Sequence, residues 1–209
     1  MFKYIVFDFD GTLADSRSVF VRAYNQVADK HQFRRVEPGL VEELRQLPLR
    51  RRFAFLRIPF YKIPFIAPQF FAAYRALLPE VTLIDGVREL LRALRTGGYR
   101  LAIISSNSES IIRDFLAAHA LDDDFQAIVC SQNLFGKDRS IRTFLRRHGL
   151  TPADMLYVGD EQRDVEACRR AGVKVVWVSW GYDRRDGLGP ELPDAVIDAP
   201  AELLGLLTP

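Results

Sequence analysis

The apolar residues of this chain fall into short runs that end on polar ones, and the spacing of those runs predicts its elements. The first run is Tyr4, Ile5, Val6 and Phe7, of strand length and rich in β-branched and aromatic residues, and it stops at Asp8. From Asp85 a regular alternation sets in. Val87, Leu90, Leu91 and Leu94 recur at helical spacing and are closed off by Gly97-Gly98, after which 100–104 is a short apolar strand. A helix over about 108–119 follows, then a strand at 126–130, a helix from about 137 to 148, a strand at 155–158, a helix to Ala171 and a strand at 174–178. A weaker strand at 195–197 and a helix near 201–207 complete the series. Strands alternating with helices imply βαβ units, so the pattern predicts a doubly wound α/β fold, a parallel sheet covered on both faces.

Between the first strand and that alternation the texture changes. Val19, Phe20, Ala23, Tyr24 and Val27 give 16–30 one apolar face, as in an amphipathic helix. Residues 31–81 then hold Pro38, Pro48, Pro59, Pro64, Pro68 and Pro79, six of the chain's 11 prolines, and an aromatic-rich tract over 53–74. Proline at that density breaks a segment into short helices. The expected organisation is therefore an α/β core made of 1–14 and 83–209, with 15–82 inserted as a small helical cap.

Composition narrows the class. With 209 residues, 48% hydrophobic and 27% charged, the chain has room for one core and a sizeable insertion, and its composition is not that of a disordered segment. Cys130 and Cys168 lie far apart without metal-ligand spacing, which fits thiols in a reducing compartment. An acid stands as early as Asp8, unlike a secretory leader, and no apolar run reaches membrane-spanning length, so the expected location is cytoplasmic, with no membrane partner. The net charge of +2 hides an asymmetry: residues 16–81 carry 12 Lys/Arg against 5 Asp/Glu, a surplus of +7 that leaves −5 elsewhere. Arg50, Arg51, Arg52, Arg57 and Lys62 would draw in small anions, or would simply be a solvated face. The aromatics among them, Phe53, Phe55, Phe60 and Tyr61, fit the core of the inserted module better than a base-stacking platform, so no nucleic-acid partner is expected.

Candidate chemistry gathers where strands end. Asp8 and Asp10 stand two positions apart as the first strand gives way to an Asp-Gly turn. Two carboxylates placed there repel each other, and a hard divalent cation with oxygen ligands would relieve the repulsion. Ser105, Ser106 and Asn107 follow the second strand, and Gly159, Asp160, Glu161 and Asp164 the fourth, while Lys137 opens the helix after the third. The carboxyl ends of strands are where open α/β sheets hold ligands. Hydroxyls, an ammonium and carboxylates converging on one rim would suit a phosphate and its metal ion. Glu161 and Arg163 read as a surface or supporting pair, and His31, His119 and His148 have no catalytic spacing.

Four stretches, DFDGTL from Asp8, IISSN around Ser105, FGKD around Lys137 and VGDEQRD over 158–164, together resemble the motifs of the haloacid dehalogenase superfamily, in the branch that includes phosphoglycolate phosphatase. They match in order over nearly all the chain, and the insertion lies where that family keeps its type 1 cap. The resemblance implies a Mg²⁺-dependent phosphatase in which Asp8 is the nucleophile and forms an aspartyl-phosphate, and Asp10 is the general acid and base. It further implies metal ligation by Asp8, Asp160 and the backbone carbonyl of Asp10, with Asp164 in support, and phosphate binding by Lys137 and by Ser105 or Ser106. Dehalogenases of the superfamily lack a second aspartate at the position of Asp10, since a halide leaves without a proton. A small phosphorylated metabolite is the implied partner, phosphoglycolate being one candidate. A sugar phosphomutase or a non-catalytic phosphate-binding module on the same scaffold are the alternative readings, and the oligomeric state stays open.

Overall fold

β1 (Tyr4–Phe7) lies inside a six-stranded sheet of order β5-β4-β1-β6-β7-β8, formed with β4 (Arg100–Ser105), β5 (Ala127–Cys130), β6 (Met155–Gly159), β7 (Lys174–Val178) and β8 (Ala195–Ile197). All five pairings in it are parallel. Phe7 faces Ile103 on one side and Val158 on the other, and β4 and β6 run on past it to Ser105 and Gly159, so the carboxyl ends of the three strands lie on one edge of the sheet. The structure, a computed structural model, describes residues 2–131, 136–187 and 189–207; Phe135 of the FGKD stretch lies outside them.

The strands read as continuous apolar runs because each buries both faces. Ile5, Phe7, Leu101, Ile103, Leu156, Val158, Val176 and Val178 point to one side, against α5 (Val87–Thr96), α6 (Glu109–Ala118) and α9 (Glu202–Leu207). Tyr4, Val6, Ala102, Ile104, Tyr157, Val175 and Trp177 point to the other, against α7 (Lys137–Arg147) and α8 (Gln162–Ala171). That is the period-two alternation of a sheet with helices on both faces. Among the described residues no helix is long and apolar enough to cross a membrane.

The helices between β2 (Ala14–Asp15) and β3 (Thr82–Leu83), two short strands paired antiparallel, are α1 (Arg17–His31), α2 (Val41–Arg45), α3 (Leu49–Phe55) and α4 (Ile63–Ala76). They bury a cluster of their own that includes Tyr24, Val27, Leu44, Leu56, Ile58 and Ile66. Val19 and Ala23 of α1 and Tyr74 of α4 belong instead to the core beneath the sheet, so both helices are rooted there. Proline density does not shorten α4, which runs for 14 residues with Pro64 in its first turn and Pro68 inside. Pro64 occupies a position where the N–H has no helical partner anyway, and Pro68 forfeits one bond in a helix otherwise held by packing. Of the aromatics expected in this module's core, Phe53 and Phe55 pack against it, whereas Phe60 and Tyr61 are 43% and 72% exposed.

Candidate active site

The loop after β1 turns because Phe9 anchors it. The Phe9 ring is fully buried edge-on against Phe115, 5.1 Å between centroids, and its carbonyl accepts the N–H groups of Leu13 and Ala14 at 2.9 and 3.0 Å. Gly11 has φ of +76°. A side chain there would be strained and would also strike the Asp160 carboxylate and the Tyr182 ring, so the Asp-Gly pair is required twice over. Flanking Phe9, the two aspartates face different partners. Asp8 is buried, its N–H bonds to the Val158 carbonyl at 2.9 Å, and its Oδ2 accepts from Lys137 Nζ at 2.6 Å. Its Oδ1 accepts the N–H of Phe9, so that amide is engaged within the loop.

Asp10 takes three hydrogen bonds of 2.7 Å, from the Ser16 and Tyr74 hydroxyls on Oδ1 and from the Asn107 side-chain amide on Oδ2. Burial raises its pKa, with the Asp8 charge adding to the rise and the three donors opposing it. The donors come from the start of α1, the far end of α4 and the loop after β4.

Asp8, Asp160 and Asp164 bring carboxylate oxygens within 4.8 Å of one another, all three residues being buried. Asp160 accepts from Thr12 Oγ1 at 2.7 Å and from the Tyr182 N–H at 2.6 Å, and burial followed by the charges of Glu161, Asp8 and Asp164 pushes its pKa well up. Asp164, on the first turn of α8, reaches back to the Glu161 N–H at 3.1 Å and accepts from Lys137 Nζ at 2.5 Å. Burial pushes its pKa up to about 7 against the pull of Lys137. Burial works against the Lys137 ammonium, but Asp164 and Asp8 outweigh it and raise its pKa. Lysine in the first turn opposes the helix dipole, and two buried carboxylates supply the compensation. An oxygen-only set of three buried acids has the donor chemistry that suits a hard divalent ion.

Ser105 is buried at the end of β4, its hydroxyl accepting the Asn107 N–H at 3.2 Å; the Ser106 hydroxyl accepts from Arg163 at 2.9 Å. Arg163 also donates to Glu161 at 2.6 Å, and of the two readings of this pair, surface or supporting, its burial, with Glu161 8% exposed, fits the second. Asp8, Asp10, Ser105, Ser106 and Asn107 line the floor of one cavity of about 260 Å³ beneath the four inserted helices. Of the basic run, Arg52 turns inward, donating to the Leu44 and Leu47 carbonyls and pairing with Asp183, while Arg51 and Arg57 stay exposed. Sequence reasoning missed Tyr74, Ser16, Tyr182 and Thr12, and left Asn107 unassigned; of these, Thr12 and Asn107 lay inside recognised motifs.

The sequence model of the haloacid dehalogenase-like hydrolases matches residues 5–178, a stretch that reaches from β1 through β7. This chain belongs to that family. Another haloacid dehalogenase-like hydrolase, from Streptococcus pneumoniae, superimposes with a TM-score of 0.84 at 23% identity, covering 99% of each chain. CbbY from Rhodobacter sphaeroides, solved in complex with phosphate, gives a TM-score of 0.77 at 23% identity over 97% of this chain and 96% of that one. Among curated relatives, a phosphoglycolate phosphatase of Synechococcus elongatus is 33% identical over 204 residues, 98% of this chain and 96% of its own length.

Proposed function

We propose that this phosphatase hydrolyses small phosphate monoesters with Mg²⁺ as cofactor, through an aspartyl-phosphate on Asp8. The observation that carries the proposal is the division of labour between two neighbouring acids. Asp8 sits with Asp160, Asp164 and Lys137, while Asp10 is held apart by Ser16, Tyr74 and Asn107. In the first step an Asp8 oxygen bonds to phosphorus, the bond from phosphorus to the alcohol oxygen breaks, and the departing alkoxide takes a proton from the Asp10 carboxyl. In the second, water gives a proton back to Asp10 as its oxygen attacks phosphorus, releasing inorganic phosphate and restoring Asp8.

Asp8, Asp160 and Asp164, with the backbone carbonyl of Asp10, would hold the Mg²⁺. Its bound charge lets an anionic nucleophile approach an anionic phosphate. Lys137 and the Ser105 hydroxyl would hold phosphoryl oxygens; Ser105 is preferred over Ser106 because it is the buried last residue of β4, the strand paired with β1. Residues 15–82 act as a cap over this floor. The partner is a small phosphorylated metabolite of the cytoplasm, and the curated relatives make phosphoglycolate a substrate to test.

The test is hydrolysis of p-nitrophenyl phosphate with and without Mg²⁺, in wild type and in Asp8→Asn. Turnover that needs the metal and falls to background in the variant is the expected result. Undiminished turnover after chelation, or an active Asp8→Asn, would refute it.

A further inference from the structure

The cavity above Asp8 and Asp10 is not the chamber a small dianion needs. Away from its floor the wall is supplied by Tyr24 and Val27 of α1, Leu44 of α2, Phe53 of α3 and Ile66 and Phe70 of α4. Protein interiors are close-packed, and an apolar void of ~150 Å³ is already enough to take up benzene. Here about 260 Å³ continues from the acids into the interior of the helical module.

Among the described residues three cations reach the wall, and each is already engaged. Arg45 donates to the carbonyls of Gly181 and Tyr182 and pairs with Glu42. Arg52 pairs with Asp183 and bonds the Leu44 and Leu47 carbonyls, and Arg163 pairs with Glu161. A substrate carboxylate or second phosphate entering this space would lose its water and gain an apolar wall, whereas a hydrocarbon body gains by the same transfer.

We infer that the enzyme is selective for phosphate monoesters of hydrophobic alcohols, the apolar body of the leaving group lying among α1 to α4 while the phosphoryl group meets Asp8. This rests on the reading of Asp8 as nucleophile and adds the class of leaving group.

A chain-length series separates the two, because simple primary alcohols differ little as leaving groups. With Mg²⁺ present, kcat/KM is measured for ethyl, butyl and hexyl phosphate and for phosphoglycolate, in wild type, Asp8→Asn and Val27→Phe. The expected result is a rise of about threefold to fourfold per methylene, from ~0.8 kcal/mol for each buried CH₂. Phosphoglycolate should fall at least about tenfold below hexyl phosphate by the same constant. Val27→Phe, which narrows the cavity, should lower the hexyl-to-ethyl ratio; if that variant does not fold, the wild-type series decides alone. A flat series, or phosphoglycolate as the better substrate, with activity still lost in Asp8→Asn, overturns the inference and leaves the hydrolytic reading intact. No turnover across the panel overturns both.

Discussion

Asp10 owes its position to residues that lie 6, 64 and 97 places away in the chain. Tyr74 is the most exacting of them. It is fully buried in the core beneath the sheet although it belongs to α4, and its hydroxyl ends on Asp10 at 2.7 Å. Tyr74→Phe keeps the ring and removes one donor. General acid–base catalysis contributes some 10²–10⁴-fold, so part of that, about tenfold, should be lost from kcat with KM nearly unchanged. Steady-state kinetics on one substrate check it, with melting temperature as the control for packing. At this scale the chain was half legible. Asp8, Asp10, Ser105, Lys137, Asp160 and Asp164 could be picked out because each follows a strand or opens a helix, and the structure brings them to one rim. Tyr74 and Tyr182 could not, because nothing local marks a tyrosine whose partner is remote in sequence. The Ser16 and Tyr182 hydroxyls, 3.0 Å apart, are separated by 166 positions.

Elements were read more fully than residues. Strands buried on both faces leave uninterrupted apolar runs, and helices with one buried stripe leave spaced ones, so their existence and order were visible. The length of α4 was not, because proline signals a break only where packing does not override it. The short helical turn before β6 shows how an element start is tied down. Asp154 accepts from the Thr151 N–H and hydroxyl at 2.8 and 2.7 Å and pairs with Lys3 at 2.9 Å. The Thr151 bonds, then Lys3, hold its carboxyl well below the usual carboxylate range. A carboxylate depressed on folding adds stability that is present above its unfolded pKa of ~3.9 and is lost as pH falls toward the folded value. Asp154→Asn should therefore make the acid side of the stability curve shallower below about pH 4. Denaturant titrations at a series of pH values check it; an unchanged slope would show that this carboxylate does not control acid stability.

For the whole molecule, the helices between β2 and β3 do not rest on the sheet at their roots alone. Arg45 and Arg52 reach across to the segment after β7, where Arg45 bonds the carbonyls of Gly181 and Tyr182 and Arg52 pairs with Asp183. Asp183 in turn accepts the Gln162 N–H at 2.7 Å, at the start of the helix that carries Asp164. Burial raises the Asp183 pKa even with Arg52 beside it, so removing the cation leaves a charge with little water to turn to. Arg52→Met should cost about 3–5 kcal/mol of stability, and the double variant with Asp183→Asn should recover much of that. Chemical denaturation of the four proteins in the cycle checks it, and additive losses would mean the pair does not couple. The charge surplus of the inserted segment was legible from sequence, but which of its arginines turn inward was not, since that depends on a partner more than a hundred positions later.

The placement of β1 between β4 and β6 also has a consequence for biosynthesis. β1 is translated well before both strands that flank it, and Tyr4 meets Met155 only once that part of the message has been read. Until then the nascent chain presents an open strand edge beside Asp8, a surface that invites pairing with another polypeptide or capture by a chaperone. Ribosome-bound chains arrested before β6 should remain protease-sensitive throughout, and those arrested well beyond it should acquire resistance together in both halves.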